Sequence, residues 1–206
     1  MKIGLLLGSF NPVTIAHVAM ATSVLNSGLC DKVLFVVAKH NPWKKEEPAP
    51  FDLRCQMIVA ATRPLGDKCE VCRFEEKYEP PVYSYIPINE AIKAYPKDVI
   101  FVIAGSDTIE RIPRWRNYKT DIKGKVGFIE ITRGKANTAK GLLDTLPFVG
   151  DTYLNEKIGG YINRLNIRDM DISSTMVRWM VGKGMNPYPF VTEEVNRIIT
   201  ENNLYK

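Results

Sequence analysis

Two runs of side chains settle what kind of sheet this chain can build. Ile3-Gly4-Leu5-Leu6-Leu7 carries no polar group and stops at Gly8, and Val99-Ile100-Phe101-Val102-Ile103-Ala104 does the same at Gly105. A strand with one wet face alternates apolar and polar residues, whereas a strand apolar at every position must be covered on both faces. Val33 to Ala38 (Val-Leu-Phe-Val-Val-Ala) is a third run of this kind. Such strands belong to parallel sheets whose crossover connections lay helices on either side.

The intervening segments supply the helices. Ile15 to Asn26 reads as a helix stopped by Gly28, and Asp52 as the cap of a helix that runs to Arg63 and halts at Pro64. Ser84 to Tyr95 contains a helix ended by Pro96. Cys69 to Phe74, Lys125 to Ile131 and Gly160 to Ile167 read as further strands. Ser174 to Val181 and Glu193 to Asn202 read as closing helices, the second capped by Thr192. His40 to Pro50 is a polar, proline-bearing loop, and 134–154 shows no clear periodicity. The reading is α/β: a Rossmann-like doubly wound parallel sheet with a C-terminal helical extension from about residue 172, in one domain over 1–206. Ligands of such sheets bind beyond the carboxyl ends of the strands, where Gly8-Ser9-Phe10-Asn11-Pro12 and Gly105-Ser106-Asp107-Thr108 lie.

Composition removes several function classes. No apolar run approaches the roughly 18 residues of a membrane span, and the apolar N-terminus is too short for a secretion signal, so the chain reads as cytoplasmic. The 28 basic and 23 acidic side chains leave a net charge of +5. The basic residues come at most in short pairs such as Lys44-Lys45, which argues against a nucleic-acid-binding tail. Cys69 and Cys72 have redox-pair spacing but sit in strand-like sequence, so they read as strand residues. With two histidines in all, His17 and His40, multi-histidine metal chemistry is excluded.

Several standard signatures are missing: no G-x-x-x-x-G-K-S/T and no G-x-G-x-x-G after the first strand for phosphate binding, and no G-x-S-x-G hydrolase elbow. Another arrangement takes their place. Gly8 lets backbone approach a ligand, and Thr14 and His17 share one face of the first turn of the next helix, beside its unpaired N–H groups. A hydroxyl, an imidazole and free N–H groups at a helix N-terminus form an anion site. Far along the chain, Ser173 caps a helix whose first turn holds Ser174 and Thr175, with Arg178 on the same face. Hydroxyls, N–H groups and a cation again suit an anionic phosphate chain.

Gly8 to His17 resembles the GxFxPx(H/T)xGH motif of the nucleotidyltransferase superfamily, and Ile172 to Arg178 its ISxTxxR motif. The resemblance extends over nearly the whole chain and is closest to the nicotinate/nicotinamide mononucleotide adenylyltransferases. Asn41-Pro42-Trp43-Lys44 is similar to that family's PPHK-like loop, and Pro81-Val82-Tyr83-Ser84 to its P-S-Y-T segment. Gly105-Ser106-Asp107 with Pro113-Arg114-Trp115 resembles its G-x-D-S…P-x-W stretch, and Thr132-Arg133-Gly134 its R-x-G turn. Ile198 to Tyr205 is similar to its ending. Thr14 stands where a His is usual in the subfamily, Ala16 where Gly is, Trp43 where His is common, and Ser84 where Thr is.

The resemblance implies transfer of AMP from ATP to a pyridine mononucleotide, forming a dinucleotide and releasing pyrophosphate. His17, with Thr14 in support, would stabilise the transferring α-phosphate. Arg178 and Lys44, with Lys45 as a weaker candidate, would neutralise the ATP phosphates. Gly8, Ser9, Phe10, Ser173, Ser174 and Thr175 would line the ATP site. Tyr83, Ser84, Gly105, Asp107, Trp115 and Arg133 would line the mononucleotide site: Trp115 stacks on the ring, Asp107 holds the ribose or the metal, and Arg133 faces the phosphate. Mg²⁺ would arrive with ATP rather than on a protein site. Partners are small molecules, with no nucleic acid and no membrane, and a homo-oligomer is compatible with the chain. Two other readings stay open: another adenylyltransferase of this fold, such as the phosphopantetheine type, and a non-catalytic nucleotide-binding module.

Overall fold

The computed structural model describes residues 1–40, 47–134, 148–168 and 170–206, with backbone only for 133, 134, 148–151 and 168. Seven strands form one sheet: β1 (Lys2–Gly8), β2 (Lys32–Val37), β3 (Cys69–Cys72), β4 (Val99–Gly105), β5 (Gly127–Gly134), β6 (Phe148–Asn155) and β7 (Gly160–Arg168), in the order β3-β2-β1-β4-β5-β7-β6. Every neighbouring pair is parallel except β6 with β7. The helices are α1 (Ile15–Asn26), α2 (Phe51–Thr62), α3 (Tyr85–Ala94), α4 (Ser106–Ile109), α5 (Ser174–Gly182) and α6 (Glu193–Glu201). None of them is long and apolar enough to cross a membrane.

The all-apolar strands feed two cores. Alternation along β1 sends Ile3 and Leu5 to one face and Leu6 to the other. One layer joins Leu6, Phe35 and Ile103 to α1 and α2, and Val177, Val195, Ile199 and Leu204 carry α5, α6 and the chain end into it. The other layer joins Ile3, Leu5, Leu34 and Val102 to Ile88 and Ala91 of α3 and to Ile109, Ile112, Tyr118 and Ile122. Both cores are close to fully shielded from water, which is the condition that continuous apolar strands demand.

Two expectations need correction. The sheet is mixed, because β6 returns antiparallel to β7 through the turn at Glu156–Gly159, where Gly159 has φ +68°. A register shift between Val149 and Thr152 breaks the period-two pattern in β6, so no alternation shows in the sequence there. Asp52 does not cap α2 but sits in its first turn, since the helix begins one residue earlier at Phe51. Pro64 does end the α-helix, which closes at Thr62 with Arg63 as its C-cap, and the chain then winds on as a 3₁₀ segment, Arg63–Lys68, where the missing proline N–H is an orphan in any case.

The chain runs β1 to β2 to β3 toward one edge, then crosses to place β4 on the far side of β1. The crevice above the carboxyl ends of β1 and β4 is therefore the point where winding reverses, flanked by Gly8 and Gly105.

Candidate active site

The loop leaving β1 is shaped by an aromatic ring folded back over a glycine. Phe10 adopts φ +45°, which turns its ring against Gly8; a Cβ on Gly8 would lie 3.0 Å from that ring. The same ring meets Phe35 beneath it and His17 edge-on, at centroid distances of 5.4 and 5.3 Å. Phe10 thus sets the loop's curvature and braces the imidazole.

Thr14 is the N-cap of α1, in extended conformation and almost wholly buried. Its backbone N–H donates to His17 Nδ1 at 3.1 Å, and its Oγ1 lies 2.8 Å from the same nitrogen. A backbone N–H can only donate, so Nδ1 accepts and the neutral imidazole carries its proton on Nε2. This is a capping box with histidine in place of the usual Glu or Gln. The Thr14 backbone N–H therefore fixes the tautomer of His17, and the Thr14 hydroxyl helps to orient the ring.

The second motif docks onto this loop. Ser173 caps α5 by accepting from Met176 N–H at 3.1 Å. The Ser174 hydroxyl donates to the Pro12 carbonyl at 2.8 Å, and Arg178 Nη1 donates to the Asn11 carbonyl at 2.9 Å. Residues 162 and 167 positions apart are thereby joined, and the N-termini of α1 and α5 come together over one loop. Part of the donor capacity of Ser174 and Arg178 is thus spent holding protein rather than kept for a ligand.

Three supporting residues were given no role by the sequence motifs. Arg54 is 1% exposed and donates to four backbone carbonyls: Ser9 at 2.7 Å, Ala38 at 2.6 Å, Lys39 at 3.0 Å and Ala49 at 2.8 Å. It ties the loop after β1 to the end of β2 and to the segment entering α2, and burial lowers its pKa. Its signal was available: Arg54, Met57, Ile58 and Ala61 fall at i, i+3, i+4 and i+7, on the buried face of α2. Asn11 accepts at Oδ1 from Ala49 N–H at 3.0 Å and from the Tyr205 hydroxyl at 2.8 Å, so the chain's end closes over its first loop.

Glu75 is the third. It is buried and accepts from Lys39 N–H at 2.9 Å. Desolvation pushes its carboxyl up to about 7, against the pull of that hydrogen bond and of the Arg54 charge. Between the ordinary carboxylate value and about 7, the folded chain holds a proton that the unfolded chain has released. This contribution to stability is complete at low pH and is lost as pH rises through about 7. Glu75→Gln, which keeps an acceptor for Lys39, is expected to match the parent near pH 5 and to exceed it at pH 8 by on the order of 2 kcal/mol. Urea melts of both proteins at the two pH values check this; a difference independent of pH would remove the ionised carboxyl as its source.

On the β4 side, Gly105 ends the strand in extended conformation and Asp107 is exposed in the first turn of α4. Below it, Glu130 of β5 is buried, accepting from Tyr153 at 2.9 Å and from its cross-strand partner Arg164 at 3.0 Å. Burial alone would raise the Glu130 carboxyl, but hydrogen bonds from Ser106, Tyr153 and Arg164 outweigh it and hold the group ionised. Trp115 follows a 3₁₀ turn, Ile112–Arg114, and lies half-buried against the second core. Tyr83 and Ser84, also half-buried, lead into α3, and the Arg116 guanidinium sits 4.7 Å above the Tyr83 ring. That stacking joins the Tyr83–Ser84 and Trp115 segments, which the sequence assigned to one pocket.

Lys44 and Lys45, with the Asn41–Lys44 loop, lie outside the described residues, as does the Arg133 side chain. Among the described residues no cluster of three or more His, Cys, Asp and Glu side chains is placed to hold a metal ion. Cys69 and Cys72 belong to β3, where burial pushes their thiols up to about 11 and about 12. Thiols so held are poor nucleophiles, as the strand reading requires.

Known proteins carry the same architecture. Over 99% of this chain and 96% of the other, it superimposes with a TM-score of 0.74 and 20% identity on a nicotinic acid mononucleotide adenylyltransferase of Plasmodium falciparum, solved in complex with APC. The same parasite enzyme in complex with NaAD gives 0.73 and 21%, over 99% and 97% of the two chains. A probable nicotinate-nucleotide adenylyltransferase of Geobacter sulfurreducens is 32% identical over 100% of this chain and 98% of its own. One from Methylacidiphilum infernorum is 31% identical over 96% and 89%. The family model described as cytidylyltransferase-like matches residues 5–180. On a match of that span and relatives of that likeness, the chain belongs to the cytidylyltransferase-like family, among the nicotinate-nucleotide adenylyltransferases, a group of nucleotidyltransferase enzymes.

Proposed function

We propose that the protein transfers the AMP moiety of ATP to nicotinate mononucleotide in the cytoplasm, making the deamido dinucleotide of NAD synthesis. An oxygen of the mononucleotide phosphate attacks the α-phosphorus of ATP. The new P–O bond forms as the bond to the β-phosphate oxygen breaks, and pyrophosphate leaves with the electron pair. The attacking phosphate is already ionised, so the reaction needs no general base, only alignment and charge neutralisation.

The observation that carries this reading is the Thr14–His17 capping box. It aims a neutral imidazole whose Nε2–H is a donor into the region of the α1 N-terminus, where the helix end itself favours an anion. In this reading His17 donates to the α-phosphate and Thr14 sets the imidazole. Gly8, Ser9 and Phe10 shape the floor, and Arg178, Ser173, Ser174, Thr175 and Lys44 receive the β- and γ-phosphates. Mg²⁺ enters bound to ATP as part of that substrate. Trp115 stacks on the pyridine ring, with Tyr83 and Ser84 beside it. Gly105 lets the mononucleotide approach β4, Asp107 takes its ribose, and Arg133 its phosphate.

The test is direct. Purified protein with ATP, Mg²⁺ and nicotinate mononucleotide is expected to release pyrophosphate and form the dinucleotide, with phosphopantetheine giving no product. No product from nicotinate or nicotinamide mononucleotide would overturn the reading. ATP binding without any pyrophosphate release would instead mark a nucleotide-binding module.

A further inference from the structure

Among the described residues, Arg116 is a cation with an aromatic partner but no anionic one. Its guanidinium carbon lies 4.7 Å from the centroid of the Tyr83 ring, and among the described residues it takes part in no ion pair. Of the other stacked arginines, Arg73, over Phe51, is neutralised by Asp52 and Glu76, and Arg164, over Tyr153, by Glu130, while Arg54, buried against Phe51, gives its N–H groups to four backbone carbonyls. Arg111 and Arg114 are exposed like Arg116, but neither stacks on a ring or pairs with a carboxylate among the described residues.

A guanidinium lying over a ring has its face occupied and its N–H edge left to point outward. That edge is a rigid fork matched to a carboxylate. Here the fork is held by Tyr83 and immediately follows Trp115, two residues that the proposed function places around the pyridine ring. Nicotinate and nicotinamide differ on that ring by one negative charge.

We infer that Arg116 is a specificity-determining residue, its guanidinium pairing with the pyridine carboxylate and so favouring the acid mononucleotide over the amide. The inference rests on the proposed function and deepens it. An amide offers Arg116 one neutral acceptor in place of two charged ones. Since hydrogen bonds to a charged group contribute about twice what neutral ones do, the preference is expected to be about tenfold or more.

The experiment compares kcat/KM for the two mononucleotides, with saturating Mg-ATP, in the unsubstituted protein and in Arg116→Gln. Arg116 is exposed, so the variant is expected to fold, and its melting temperature is checked first. The expected result is a fall of about tenfold in the acid-to-amide ratio, carried by KM of the acid, with KM for ATP unmoved. Arg116→Lys, which keeps the charge but loses the fork, is expected to restore part of the ratio. An unchanged ratio overturns the inference, as does a parallel loss on both substrates, which would mean pairing with their shared phosphate. Turnover of neither mononucleotide by the unsubstituted protein would overturn the proposed function itself, and this inference with it.

Discussion

His17→Ala is expected to lower kcat by about 10²- to 10³-fold while leaving ATP affinity within a few-fold of the parent. The magnitude is that of removing one preorganised donor aimed at charge that develops in the transition state. The asymmetry between rate and binding follows from the proposed function, in which the α1 N-terminus and the α5 residues would still hold the triphosphate. The substitution also removes the acceptor of Thr14 N–H, costing about 1 kcal/mol of helix stability, too little to unfold the chain. Single-turnover kinetics and calorimetric titration with a non-hydrolysable ATP analogue separate the two effects. A kcat within threefold of the parent would take His17 out of the chemistry.

The second large effect is expected at Arg54. Arg54→Leu fills much of the same volume but leaves the carbonyls of Ser9, Ala38, Lys39 and Ala49 buried with one donor fewer each. Unsatisfied buried acceptors cost about 1–3 kcal/mol apiece, and water entering the site recovers part of that. A net loss of about 3–5 kcal/mol is expected, a fall in melting temperature of roughly 10 °C for a chain of this size. Arg54→Lys keeps the charge but cannot span four acceptors, so it should fall between the two. Denaturant titration of the three proteins decides the matter. A loss under about 1 kcal/mol in Arg54→Leu would mean that the loops keep their shape without it.

These two residues also mark what could and could not be read in the sequence. His17 was legible because a turn, a threonine and a histidine at fixed spacing follow an apolar strand, all within one short stretch. The parallel strands were legible for a similar local reason: a continuous apolar run has few other ways to satisfy burial on both faces. Arg54 passed unnoticed because a charged residue in a helix usually faces water, although its spacing to Met57, Ile58 and Ala61 placed it on the buried side. Glu75 is harder still. Nothing in Phe74-Glu75-Glu76 says which glutamate is covered, since that depends on how the segment after β3 folds over Lys39. The register shift hid β6, and the pairing of Asn11 with Tyr205 depends on contacts 194 positions apart that no local pattern carries.

Those distant bonds bear on how the protein is made. The loop after β1 is made well before α5 and Tyr205, yet its carbonyls at Asn11 and Pro12 find their partners on α5, and the Asn11 side chain finds its partner at Tyr205. Until translation has delivered those later segments, the loop lacks these three hydrogen bonds. The clasp on that loop is therefore complete only when both segments are in place, and a chain cut before α5 would leave the Asn11 and Pro12 carbonyls without these partners.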